Sequence, residues 1–309
     1  VVLLLLLAVT FLGPFGWMVS TSLKHEAAIF PAPGESPRWL PATVETDINE
    51  RILVNWNGKV AAVLGTTDRD QLRILVDGEE HAVWQDAVAV RQVTGFHWEN
   101  YVRAFEMMDF WQNLRNTLFI CITTVVGTVL SCALVAYSFA RIKWKGREAT
   151  FVLVLATMML PYQVTLSWVG SFKPLIVPYF FAPPFYVFLL RQFFRGIPED
   201  LSAAARIDGC SEFGIFWRII LPLSKPALAT CALFMFLFQW GDFLNPLIFL
   251  QDDQHYTLAV ALQQFQSQHE QAWGPLMAMS TVITLPIIVL FFLTQKTFIQ
   301  GITLSGLKG

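Results

Sequence analysis

The sequence predicts an all-α integral membrane protein of six transmembrane helices with a small β-rich extracytoplasmic insertion, and three observations carry that reading. Of 309 residues, 55% are apolar and 14% charged, and the mean hydropathy is +0.51, so most of the chain cannot face water. Charge is segregated: residues 24–110 hold 8 of the 21 Lys and Arg and 14 of the 23 Asp and Glu. Six segments approach the roughly 20 apolar residues with which a helix crosses a bilayer core of about 30 Å: 1–22, 114–140, 149–169, 174–194, 226–250 and 276–299. This pattern excludes a soluble enzyme with one core. The formal charge of −2 argues against a protein held by nucleic-acid phosphates.

Taken in order, residues 1–23 form the first span. It opens on Val1 rather than Met and lacks basic flanking residues, so it reads as the later part of a longer apolar helix; a cleaved signal peptide is the rival. Residues 24–110 form one large loop. Asn57-Gly58 and Asp77-Gly78 each separate two β-favouring runs, which predicts two hairpins. The module reads equally as an inert prop and as a docking element. Residues 96–117 are aromatic and amphipathic, as in a helix lying at the membrane interface. Residues 111–309 then form a core of five spans. In the second span, Gly127, Ser131, Ala136 and Ala140 offer a close-packing face. In the fourth, Pro174, Pro178, Pro183 and Pro184 require a kinked or broken backbone.

Short loops set the orientation. Residues 141–148 carry four basic residues in eight and 191–225 carry five, whereas 251–275 carry none. Basic loops prefer the cytoplasm, so both termini are expected there and residues 24–110 outside. The four cysteines lack metal-ligand spacing and read as buried thiols. The five histidines are scattered and read as surface residues. No P-loop, HExxH or GxSxG pattern occurs. No catalytic residue, metal site or cofactor site is expected, and the chain reads as a non-enzyme.

Residues 197–226, IPEDLSAAARIDGCSEFGIFWRIILPLSKP, are the most informative. Pro198, Glu199 and Asp200 suit a helix start, and Gly209 suits its stop. Ile197, Leu201 and Ala204 or Ala205 are expected on one side. A second helix is expected from Ser211, with Phe213, Phe216, Trp217 and Ile220 on its apolar face and Pro222 as its end. The product is a helix–turn–helix whose alanine side fits a groove on another protein; an amphipathic loop resting on lipid is the alternative.

Here the sequence resembles the inner-membrane permease subunits of binding-protein-dependent ABC importers, of the carbohydrate type. The family's EAA loop, EAAxxxG followed by LP, aligns with Ala203, Ala204, Ala205, Gly209, Leu221 and Pro222, and AARIDG (204–209) matches as it stands. NYVRAF (100–105), NTL (116–118), SFARIKWKG (138–146), MMLPYQVTL (158–166), YTLAVALQQF (256–265) and GITLSGLKG (301–309) extend the likeness along the chain. The resemblance implies the type I ABC importer permease fold. It also implies a second permease subunit as heterodimer partner, two ABC ATPase subunits that hold ATP and Mg, an extracytoplasmic solute-binding protein, surrounding membrane lipid and no nucleic acid. By this analogy Ala203 to Gly209 form the joint to the ATPase, with Arg206 and Asp208 flanking it, while Tyr256, Gln263, Gln264 and Trp273 face the binding protein. Two departures stand out. Ala203 replaces the family's first Glu, which removes a contact to the ATPase, and only seven residues separate Leu166 from Pro174.

Asp242 lies within the fifth span, and with Gln163, Gln239 and Asn245 it offers hydrogen-bond groups to a hydroxylated solute. The alternative is that these groups satisfy backbone freed where Gly241 and Pro246 break the helix. The expected function is import of a sugar or sugar-like solute by alternating access. The rivals are an importer of amino acids, polyamines or a phosphate ester, and a membrane receptor with an external sensing module.

Overall fold

A computed structural model of the chain describes residues 2–30, 39–47, 49, 51–67, 71–84, 87–159, 168–268 and 272–306. It divides into two compact units, residues 1–109 with 262–285 and residues 110–261 with 286–309.

In the first unit α1 (Val2–Ser22) is a leucine-rich helix whose Leu3, Leu5, Val9 and Phe11 are largely exposed, as suits lipid contact. The chain then enters a β-rich insertion through β1 (Ala42–Val44). Strands β2 (Leu53–Trp56), β3 (Lys59–Thr66), β4 (Leu72–Val76), β5 (Glu79–Val83) and β6 (Ala89–Val90) form an antiparallel sheet in the order β5-β4-β3-β2-β6. Both expected hairpins are present. Their turns put Asn57 at φ 50°, Gly58 at φ 80°, Asp77 at φ 49° and Gly78 at φ 90°, a backbone whose twist matches that of the flanking strands. Val54, Ala61, Ile74, Val76, Val83 and Val88 make the small core. The chain leaves through β7 (Gln92–Thr94), which pairs with β1 so that Val44 lies opposite Gln92. Below this stem, α2 (Glu99–Met107) is clamped to the end of α1. Asn100 Nδ2 donates to Ser22 O at 2.9 Å and Lys24 O at 2.7 Å, and the Tyr101 hydroxyl lies 2.8 Å from Ser22 Oγ. The expected interfacial helix over 96–117 is therefore shorter: it ends at Met107, and a new helix begins at Phe110.

The second unit is built round α3 (Phe110–Arg141), which packs against α6 (Pro184–Gly196) and α10 (Lys225–Trp240). Between them run α4 (Arg147–Ala156), α5 (Lys173–Ile176), α7 (Glu199–Ile207), α8 (Glu212–Ile215) and α9 (Leu221–Leu223), followed by α11 (Leu244–Phe249). Helices α12 (Leu258–Gln268) and α13 (Trp273–Gly306) contribute residues to both units. The small residues of α3 do make a close contact: a Cβ on Gly127 would lie 2.6 Å from the Phe180 ring. The proline-rich fourth segment is broken, as expected, into α5, a 3-10 turn at Val177–Phe180 and α6. Side chains of neighbouring helices meet its freed backbone, as an apolar medium requires. Thr128 Oγ1 donates to Tyr179 O at 3.3 Å, Ser131 Oγ accepts from Ala182 N at 3.2 Å, and Gln239 Nε2 donates to Leu175 O at 3.2 Å.

Four helical segments among the described residues are long and apolar enough to span a membrane, or five if the pair 212–223 and 225–240, bent by 76°, counts as one. Of the six expected spans, 149–169 is helical from its start to Met159, and residues 160–167 lie outside the described residues. The fifth, 226–250, is not one helix: it stops at Trp240 and resumes as α11, because Gly241 and Asp242 interrupt the ladder. Cys121, Cys132 and Cys231 are buried and Cys210 is half-buried. The histidines are less scattered than expected, for the His25 and His97 rings meet edge to face at 5.1 Å.

Candidate functional site

The loop 197–226 folds as a helix, a tight turn and a second helix. Pro198 precedes α7, and Glu199 and Asp200 occupy its first turn. At its end Gly209 adopts φ 80°, Gly209 N donates to Arg206 O at 3.1 Å and Cys210 N to Ala205 O at 2.9 Å. This is the glycine stop in which two terminal carbonyls recover partners. Ser211 Oγ then accepts from Gly214 N at 3.2 Å and caps α8.

The faces differ from those expected. Ser202 and Ala205 are the buried residues of α7, whereas Leu201, Ala203 and Ala204 point outward and Ile207 is 87% exposed. On the second helix Ile215, Phe216 and Ile220 are buried, but Phe213 and Trp217 are exposed and stack with ring centroids 6.4 Å apart. Phe213 and Trp217 stand four apart and so share the outward side, and a π turn over Phe216–Ile220 interrupts the regular repeat behind them. Pro222 does not end the helix. It lies inside α9, and the stop falls at Ser224, whose N–H donates to Ile220 O and Leu221 O.

Two side chains of α3, Tyr137 and Arg141, tie it to this loop. Arg206 Nε donates to Glu212 Oε1 at 2.7 Å, and the Tyr137 hydroxyl donates to Glu212 Oε2 at 2.8 Å. The hydrogen bond from Arg206, the largest effect, holds the Glu212 carboxyl below the usual carboxylate range; partial burial opposes it and the Tyr137 hydroxyl adds to it. Arg141 donates to Ile197 O, at the other end of α7. Asp208 caps α7 and is exposed. Leu221 and Pro222 sit apart from Ala203–Gly209, on α9.

Of the expected pathway residues, Gln163 lies outside the described residues, and the other three gather at the break between α10 and α11. Asp242 Oδ1 accepts from Asn245 N at 3.3 Å and Oδ2 from Asn245 Nδ2 at 2.8 Å, so the carboxylate caps α11. Gln239 is turned to the carbonyl of Leu175. These contacts match the alternative in which the polar groups satisfy interrupted backbone. Beside α6 and α10 a cavity of about 450 Å³ is lined by Tyr179, Phe185, Tyr186, Phe234, Met235, Leu237 and Phe238, aromatic and aliphatic side chains without a charge. Among the described residues no group of three or more His, Cys, Asp or Glu is placed to hold a metal ion.

Tyr256 is half-buried against Ile120, Leu175, Phe249 and Leu250. Its loop is stapled to the other end of α3: Gln112 Nε2 and Asn116 Nδ2 each donate to Gln254 O at 2.8 Å, Asn116 also donates to Tyr256 O at 3.1 Å, and Thr117 Oγ1 accepts from Leu258 N at 2.9 Å. Gln263 is exposed, Gln264 half-buried, and Trp273 packs edge-on against Phe30 at 5.8 Å; these three belong to the first unit. Sequence reasoning missed Tyr137, Arg141, Glu212, Asn116 and Thr117 as tying residues. The available signal was polar side chains four apart at the two ends of one apolar helix.

Comparison with known proteins points the same way. The profile of the family described as binding-protein-dependent transport system inner membrane component matches residues 116–304. The chain is 36% identical over 222 residues to the arabinooligosaccharides transport system permease protein AraQ of Halalkalibacterium halodurans, covering 68% of this chain and 79% of that one. It is 35% identical over 225 residues to the trehalose/maltose transport system permease protein MalG of Thermococcus litoralis, covering 68% and 81%. In fold it is similar to a chain of the crystal structure of a bacterial ABC transporter involved in the import of the acidic polysaccharide alginate, with a TM-score of 0.68, 20% identity, and coverage of 96% and 93%.

Proposed function

The chain belongs to the family of binding-protein-dependent transport system inner membrane components, and from that membership we propose that it is a permease subunit of an ATP-binding-cassette importer for a sugar or sugar-like solute. The family is one of transporters, not of catalytic enzymes. The names of the relatives that import arabinooligosaccharides and trehalose or maltose support the solute class. In this reading the first span (1–23) and the core (111–309) sit in the inner membrane with both termini in the cytoplasm, and 24–110 lies outside. The subunit pairs with a second permease, two ATPase subunits and a solute-binding protein.

The observation that carries the proposal is the outward apolar surface of the loop 199–223. Leu201, Ile207, Phe213 and Trp217 are exposed on a charged loop, where a soluble partner, not lipid alone, gives them a reason. Closure of a nucleotide-bound ATPase dimer would push on α7, and the bundle would switch access to a central path. Asp242, Asn245 and Gln239 act there by holding the broken helices open at fixed positions. Tyr256, Gln263, Gln264 and Trp273 remain candidates for the surface that meets the binding protein.

Co-purification tests this: an ATPase with a P-loop should accompany the chain, whereas recovery of a kinase in its place would overturn the importer. Gly209→Trp should leave membrane insertion intact, because no atom of the chain lies within 4 Å of the position a Cβ would take, while the φ of 80° makes any side chain there strain the turn. In proteoliposomes charged with arabinotriose or maltose, the same variant should lower uptake per ATP by about tenfold, an effect of the order of one strained or displaced contact.

A further inference from the structure

Helix α3 is gripped at both ends by loops that have no sequence connection to each other. At one end Tyr137 and Arg141, four apart and so on one face, hold the two ends of α7: Arg141 binds Ile197 O ahead of the helix, and Tyr137 reaches Arg206 in its last turn through Glu212. Tyr137 is 5% exposed and its ring lies 5.1 Å from that of Phe216, so the phenol has little freedom to follow a departing loop without its helix. At the other end Asn116 bridges two carbonyls of the loop 251–257. The 21 positions from Asn116 to Tyr137 rise by about 32 Å in an α-helix, close to the thickness of a bilayer core. The helix is uninterrupted between them.

We propose that α3 is the strut that makes the ATPase-facing loop and the outer 251–257 loop move together, with Glu212 the positioning residue that locks α7 to it. The proposal rests on the importer reading. It adds a route: displacement of α7 reaches the outer surface along one rigid helix, not through the bundle at large. Glu212 accepts from Arg206 with one carboxylate oxygen and from Tyr137 with the other, so it joins the last turn of α7 to the strut, while Arg141 holds the start of α7 through Ile197 O. Its carboxylate also lies in the first turn of α8, where negative charge is favoured.

The test uses the whole assembled transporter in nanodiscs. Gln251→Cys, exposed at the edge of the outer loop, is labelled by a membrane-impermeant maleimide with and without a non-hydrolysable ATP analogue. In the otherwise native chain the analogue should change the labelling rate by about fivefold or more, the scale of an ordinary coupling between sites. Tyr137→Phe and Glu212→Gln should abolish that response while the ATPase still co-purifies and still binds the analogue, and Glu212→Asp should restore it. Asn116→Ala should abolish it from the other end. A response that survives in both Tyr137→Phe and Glu212→Gln, or that is missing from the native chain with its ATPase bound, overturns the strut. Failure of any P-loop ATPase to accompany the native chain overturns the importer reading instead. If Tyr137→Phe does not assemble, Glu212→Gln alone decides, since the Glu212 side chain is 43% exposed and its amide fits the same space.

Discussion

Gly127 has no room for a side chain, because the Phe180 ring fills the place of its Cβ at 2.6 Å. Gly127→Ala should destabilise the helical unit by about 1–3 kcal/mol, the usual cost of overpacking; combination with Phe180→Ala should recover part of it, and thermal unfolding in detergent would read both. Glu212 sets a pH dependence. Its carboxyl is held below the ordinary range chiefly by Arg206, so the tie is complete above the unfolded value of about 4.3 and is lost as pH falls through the lowered folded value. Amide exchange across 206–213, corrected for intrinsic rates, should therefore rise only below the ordinary carboxylate range and stay flat between about pH 5 and pH 7. Gly209 was legible in the sequence because a helix stop is local chemistry. The bond from Tyr137 to Glu212 was not, since its partners stand 75 positions apart and neither carries a motif.

At the scale of elements, α12 begins where Thr117 Oγ1 accepts the N–H of Leu258. Thr117→Val keeps the shape and removes the acceptor, leaving a buried donor without its bond. The first turn of α12 should loosen by about 1 kcal/mol, seen as roughly fivefold faster exchange at 258–261. The helix ends that were read well, at Ser211 and Gly209, are those with capping chemistry. The end at Gly241 was half-legible: the apolar run 226–250 reads as one span, a break at Gly241 and Pro246 is the alternative, and the ladder does stop at Gly241, where a carboxylate caps a new helix. The second loop helix is apolar on two sides, Phe213 with Trp217 on one and Ile215, Phe216 and Ile220 on the other, and apolarity alone does not say which of them turns inward. Pro222 follows the π turn at 216–220 directly and lies inside α9.

For the whole molecule, segregation of charge was enough to separate the insertion from the membrane helices, and two Asn-Gly and Asp-Gly turns were enough to find its hairpins. The strand order was not legible, because β6 returns to the far side of β2 across an interval with no local signal. Since Val44 lies opposite Gln92, residues 45–91 can be exchanged for a two-residue Asn-Gly turn that closes β1 on β7. The shortened chain should insert into the membrane and co-purify with its ATPase as before; misassembly seen by size exclusion would show that the sheet supports the helices.

The β1–β7 stem has a thermal consequence. A sheet with a core of six small aliphatic side chains has little heat of its own, and its two ends are pinned together whether or not the rest is ordered. Closing a floppy loop on fixed ends changes its entropy only slowly with length, by about 0.6 kcal/mol for each doubling. On warming, the ornament can therefore boil off as a small early endotherm while the clasp stays shut, and the helices beneath need not register its loss.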